Sequence, residues 1–207
     1  MAVMSIKQWY KVLLDDQVLM NPTIGDMAPS LVPVRVEELS PEIDWDITWR
    51  MSRMKGLDSE LTAFIFKLLH CLLPSQDRVS RITRNQTQNI GLCLLCHTEV
   101  EDLPHAFFSC RHSCVAGLSL LGYLQVLCPN TSQEDALHLQ LGHDLDEQEQ
   151  LAAVCLLATG HKYIWSTRVE KKAVILYKMR SEIEAKISVL RRTRYSSAGD
   201  KIAEMIR

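Results

Sequence analysis

The stretch Cys93-Leu-Leu-Cys96-His97-Thr-Glu-Val-Glu-Asp-Leu-Pro-His105-Ala-Phe-Phe-Ser-Cys110 decides how the rest of the chain is read. Its spacing is C-x2-C-x8-H-x4-C. A C-x2-C turn points two thiolates at one ion, and an H-x4-C pair at a helix start supplies two more donors. Four N/S donors close a tetrahedron and leave no open position, so the pattern predicts a structural metal centre rather than a catalytic one. Thiolate and imidazole suit zinc, and the site needs no redox chemistry. His97 directly follows Cys96 and competes as a ligand, while His112 or Cys114 can replace Cys110. His105 and Cys110 are preferred because Pro104 and the apolar pair Phe107/Phe108 suit a short helix turning onto a core. The alternative, buried thiols with a core histidine, fits a polar and non-periodic loop poorly. The acidic run Glu99, Glu101 and Asp102 reads as a solvated loop.

The remaining four of the seven cysteines, Cys71, Cys114, Cys128 and Cys155, lie in apolar helical patterns and read as core thiols. Residues 1–20 carry Lys7, Lys11, Asp15 and Asp16, which does not suit a signal peptide. The odd cysteine count also argues against a disulfide framework. These features predict an intracellular protein, nuclear or cytoplasmic.

Working outward, the patterns are helical. Ile6, Trp9, Tyr10, Leu13 and Leu14 follow Ser5 at helical spacing, and Pro22, Pro29, Pro33 and Pro41 make the next segment a linker. Trp45 to Met51 reads as a helix stopped near Gly56. Asp58 or Ser59 opens an apolar helix, Leu61 to Leu72, hydrophobic on nearly every side and so expected at the centre of the core. A short basic helix runs from Asp77 to Arg84. Beyond the cysteines, residues 113–127 form an apolar helix ended by Pro129. Residues 146–192 hold no proline and predict two helices or one kinked long helix, near 147–167 and 170–192, with Gly160 the only weak point. Val169, Ala173, Leu176, Ile183, Ile187 and Leu190 form a heptad-like stripe. No segment alternates like a strand. The expected fold is all-α, a helical bundle stapled by a small irregular knuckle with long C-terminal helices. The expected divisions are residues 1–43, 44–128 and 129–207.

The chain has 207 residues and a formal net charge of −2, which hides a strong alternation. Residues 1–49 carry −5, residues 50–84 carry +4, residues 85–160 carry −8 and residues 161–207 carry +7. The basic segments can present positive faces to a polyanion. Arg78, Arg81 and Arg84 recur every three residues and share roughly one helix face. Lys171, Lys172, Arg191, Arg192 and Arg194 extend the basic surface into the tail, where Tyr195 reads as a loose aromatic. Such groups bind phosphates without reading bases. The same side chains also read as an ordinary solvated helix surface. No phosphate-binding glycine loop, G-x-S-x-G or H-E-x-x-H occurs, and His138, His143 and His161 are scattered singles. The chain is therefore expected to be no enzyme, to take no small-molecule substrate and to span no membrane.

These motifs together resemble the zinc-binding domain on the C-terminal side of reverse transcriptases of non-LTR (LINE-type) retrotransposons. The resemblance covers about residues 44–128: the tryptophan-led helix Trp45 to Met54, Phe64-Ile-Phe66-Lys-Leu-Leu-His70-Cys-Leu-Leu-Pro74, the arginine helix, then C-x2-C, an acidic spacer and H-x4-C. Ser5-x-Lys7-x-x-Tyr10 upstream, and Ile164-Trp165-x-x-Arg168 with Lys171-Lys172 downstream, extend it. It implies a structural zinc and a role in holding RNA or DNA near a polymerase domain of a longer parent protein. The polymerase's paired catalytic aspartates have no counterpart, since Asp15-Asp16 follows Leu13-Leu14 in a helical pattern. The resemblance thus implies a tail without its polymerase: a truncated copy, a separately encoded tail or a co-opted remnant.

Overall fold

A computed structural model describes residues 43–70, 72–83, 91–141 and 145–207. The N-terminal helix and linker, Cys71, Arg84, the loop after it and His143 lie outside these residues. The described chain is helical, with no strand. In order it forms α1 (Trp45–Ser52), α2 (Ser59–Leu69), α3 (Gln76–Thr83), a π-helical turn (His105–Ser109), α4 (Cys114–Leu124), α5 (Gln133–His138), α6 (Glu147–Val169), α7 (Leu176–Leu190) and α8 (Ser196–Met205). No helix among the described residues is long and apolar enough to cross a membrane.

Local chemistry sets the helix starts. Asp44, Asp58 and Asp146 each accept a backbone N–H from the first turn of α1, α2 and α6. At α6 Glu149 returns the bond to the Asp146 N–H, completing a capping box. Ser132 and Asp135 do the same for α5. Each such cap stabilises its helix by about 1 kcal/mol.

The central helix is α6, not α2. Residues 151–158 of α6 are buried on every side. The helix packs against α1, α2, the π turn, α4, α7 and α8. Its apolar side chains each stabilise the fold by roughly 1.5–3 kcal/mol. By contrast, α2 buries only the face bearing Leu61, Phe64, Ile65, Leu68 and Leu69, and Phe66 is 51% exposed. One hydrophobic cluster joins Ile47 in α1 to Ile206 after α8, across the boundary expected at 128/129.

Two helices do occupy the C-terminal region, with the break at residues 170–175, a few residues beyond the 168–169 expected. Gly160 lies inside α6 because α4 crosses there: a Cβ would sit 2.6 Å from a methyl of Leu120. Lys171, at φ 55°, turns the chain out of α6. Val169 and Ala173 are therefore exposed and do not join the stripe. The stripe that packs inward is Met179, Ile183, Ile187 and Leu190. The unexpected helix α8 returns over α6 and α7, burying Ala198, Ile202 and Met205. Tyr195 is correspondingly not a loose aromatic, since its ring is half-buried against the core beside Gly56.

His161 of α6 is fully buried, with Phe107 and Phe108 ring centroids 4.7 and 5.9 Å away. Neither ring nitrogen has a hydrogen-bond partner among the described residues. Burial pushes its pKa from 6.5 down to about 3. Within that window the unfolded chain binds a proton that the folded chain refuses, so folding stability falls as pH falls. The slope from this group approaches about 1.4 kcal/mol per pH unit. Urea unfolding of His161→Leu is expected to show a flatter acid-side pH dependence than wild type, with stability at neutral pH kept or raised. An unchanged slope would show that the imidazole is not held neutral.

Candidate metal centre

The cysteine loop is built by short backbone contacts. Gly91, at φ 74°, lies against the start of α3, where a Cβ would be 3.0 Å from the Asp77 Cα. Only glycine combines that left-handed backbone with that approach. An isolated antiparallel bridge pairs Leu92 with Val100, and the Cys93 N–H donates to the Glu99 carbonyl at 2.8 Å. The loop between them turns on a His97 N–H to Cys93 carbonyl bond of 3.0 Å, with His97 itself at φ 57°. This brings the Cys93 and Cys96 thiols to one side and leaves the His97 side chain exposed.

The second pair of donors comes from the π turn. Asp102 accepts the His105 N–H at 2.7 Å, and the Cys110 N–H donates to the His105 carbonyl at 2.9 Å. That i to i+5 bond widens the turn and carries Cys110 round to the side of His105. The cluster Cys93, Cys96, His105 and Cys110 is buried throughout, and its ligand atoms all lie within 4.8 Å of one another. Cys93 Sγ is 3.7 Å from Cys110 Sγ, and Cys96 Sγ is 3.5 Å from His105 Nε2. Bonds of about 2.0–2.3 Å to a central ion give tetrahedral edges of about 3.5–3.8 Å, so these separations fit one small tetrahedral cation. His112 and Cys114 stand outside the cluster.

The surroundings favour thiolate and a fixed imidazole. Burial raises the Cys96 thiol, but hydrogen bonds from Thr98, the Glu99 amide and His105 outweigh it and bring the pKa down to about 6. Cys93 is pushed up to about 11 by burial, with Cys110 adding to the effect. A cation at the centre reverses such a rise, because it deprotonates its thiols. Glu99 Oε2 sits 3.0 Å from His105 Nδ1, which orients Nε2 into the cluster.

The expectation of a solvated acidic run holds for Glu99 and Asp102 and fails for Glu101, which is 0% exposed. Its carboxylate accepts the Gln76 N–H at 2.8 Å, the Leu94 N–H at 3.1 Å and the Arg168 Nε–H at 2.7 Å. A second arm of the Arg168 guanidinium faces its other oxygen. Arg168 is 1% exposed, and its guanidinium carbon lies 4.2 Å from the Trp165 ring centroid. Burial pulls the Arg168 pKa down to about 10, so it stays charged at neutral pH. One carboxylate therefore joins the cysteine loop, the start of α3 and the end of α6.

The basic residues expected to meet phosphate are dispersed. Arg78 is half-buried and lines a cleft of about 560 Å³ with Leu68, Leu103 and Leu137. Arg81 lies in α3, and Arg84 falls outside the described residues. In the tail, Lys172 pairs with Glu170 and Arg191 with Asp200, both at 2.7 Å. Arg194 lies over the Tyr195 ring, and Lys171 and Arg192 are exposed. Of the core-thiol candidates, Cys128 and Cys155 are buried and Cys114 is half-buried.

Metal analysis of the purified chain is expected to find about one ion per molecule, and Cys93→Ser or Cys96→Ser to lose it. A serine variant that keeps stoichiometric metal would refute the ligand set. Glu101→Ala is expected to cost about 3–5 kcal/mol in denaturant unfolding, since it leaves Arg168 buried and unpaired. The double variant Glu101→Leu/Arg168→Met should recover much of that loss, and equal losses in both would contradict the pairing. No family model matches the chain, and no curated protein and no solved structure matches it, so its function rests on what these residues can do.

Proposed function

We propose that the cluster holds a structural zinc ion and that the chain is a nucleic-acid-binding module, of the kind its motifs resemble in the C-terminal part of LINE-type reverse transcriptases. In this reading it binds RNA or DNA for a polymerase domain carried elsewhere, acts inside the cell and catalyses nothing itself. Zinc follows from the donors: three thiols and an imidazole, buried and close enough to fill all four positions around one ion. When bound, the ion supplies cross-linking energy to a loop with little apolar burial of its own.

The observation that carries the binding role is the tie between the cluster and the basic helix. Glu101 accepts the Gln76 N–H, and the Asp77 N–H donates to the Glu101 carbonyl at 3.2 Å. The helix bearing Arg78 and Arg81 thus starts on the metal loop, which sets its direction. A protein-interaction role is the second reading, favoured by the exposed apolar residues Val115 and Leu118 on α4 and Val126 beyond it.

The two readings separate on salt. Nucleic-acid affinity of the zinc-loaded chain is expected to fall steeply as salt rises, by about 0.7–0.9 log units per log unit of salt for each phosphate contacted. Replacing Arg78, Arg81 and Arg84 by alanine should lower that slope by about 2. Absence of binding at low salt by folded, metal-loaded protein would overturn the nucleic-acid reading.

A further inference from the structure

A run of aromatic rings joins α1 to α2, with exposed cations next to it in sequence. Phe66 and His70, one turn apart on α2, have ring centroids 4.1 Å apart. The His70 ring is in turn 5.0 Å from Trp49 of α1, at an interplanar angle of 30°. The run is half-buried at Trp49 and His70 and opens to solvent at Phe66. Burial holds the His70 pKa below its ordinary value, so at neutral pH the ring is an uncharged link in the run.

Arg50 of α1 and Arg53, which caps its C-terminus, neighbour Trp49 in sequence, and Lys67 follows Phe66 on α2. All three are exposed, and none has an ion pair among the described residues. Several cations elsewhere are paired, Lys162 with Glu60, Lys172 with Glu170, Arg180 with Glu184, Arg191 with Asp200 and Lys201 with Glu149, whereas Lys171 and Arg192 are exposed without an ion pair among the described residues. Asp46 is the one acidic residue within α1, at its first turn, and Glu60 of α2 is engaged by Lys162.

We propose that the ridge formed by Trp49, His70 and Phe66, flanked by Arg50, Arg53 and Lys67, is a stacking platform for a single-stranded nucleic acid. The inference rests on the nucleic-acid reading above and assigns it a surface and a strand state. An exposed ring offers its face to an unpaired base, which a duplex keeps inside its stack. Cations without an ion pair at both ends of the run, Arg50 and Arg53 next to Trp49 and Lys67 next to Phe66, match the phosphates on either side of such a base. An apolar protein partner would fit poorly, because the ridge exposes one ring among cations. The exposed aliphatic side chains Val115, Leu118 and Val126 belong to a different part of the molecule.

The test uses the full, zinc-loaded chain and fluorescence anisotropy with labelled oligouridylate, a duplex of mixed sequence and polyglutamate. The platform predicts that oligouridylate binds more tightly than duplex and that polyglutamate competes weakly. Phe66→Ala should weaken oligouridylate binding roughly 5- to 100-fold with little change in salt slope, and Phe66→Trp should restore it. The triple variant Arg50→Gln/Arg53→Gln/Lys67→Gln should lower the slope by about 2. Phe66 is exposed, so Phe66→Ala should fold, and an unchanged unfolding curve checks that it does. If the chain binds nucleic acid but Phe66→Ala binds like wild type, or if polyglutamate competes as well as oligouridylate, the platform is overturned and the broader reading survives. If the wild-type chain binds no nucleic acid at low salt, both are overturned.

Discussion

A single buried carboxylate, Glu101, holds the cysteine loop to the helical body. Removing an ionised pair from water costs several kcal/mol per ion, and the attraction between them offsets this only when the remaining hydrogen-bonding positions are filled. Here they are filled by Arg168 and by the N–H groups of Gln76 and Leu94. Those donors come from the end of α6, the start of α3 and the middle of the C-x2-C turn. The pair therefore works as a joint between these three segments.

This joint explains how a loop whose cysteines form their own small cluster is still part of the fold. The cysteines and Leu95 make a cluster separate from the main core. From the other side, Phe107 and Phe108 of the π turn enter the main core beneath α4 and α6. The metal donors thus sit between a polar joint and an apolar anchor. A cation bound there would make the loop a rigid base for α3, because ligation energy would become folding energy. Within the cluster, Glu99 faces His105 and the Thr98 and Glu99 amides support Cys96, so the donor atoms are oriented by their own neighbours in the chain.

The cluster of three cysteines and a histidine was legible because its members are local. A C-x2-C turn and an H-x4-C turn are readable from spacing, and so was the cap at Asp58. The Glu101–Arg168 pair was not, because it spans 67 positions and no spacing rule links the two residues. The choice of central helix misled for a related reason. Both α2 and α6 are apolar, and only the packing of four further elements around α6 decides which one is enclosed. Helix α8 carries two serines and a glycine in its first turn, so its propensity is poor and tertiary burial of Ala198, Ile202 and Met205 holds it. The register of α7 shifted because Lys171 takes a left-handed turn that no residue pattern announced. The cations of α1 and α2 were visible as a +4 segment. Their grouping around the aromatic ring stack emerged only when the two helices were placed side by side.

Amide hydrogen exchange of the metal-loaded chain, before and after chelation, tests the central claim most directly. If the cluster and Glu101 act as one joint, chelation will deprotect residues 91–113, α3 and the last turn of α6 together. The buried stretch from Leu151 to Leu157 and the helices α7 and α8 will stay protected. If chelation deprotects the cysteine loop alone, with α3 and the end of α6 unchanged, the loop is an appendage and the account is wrong.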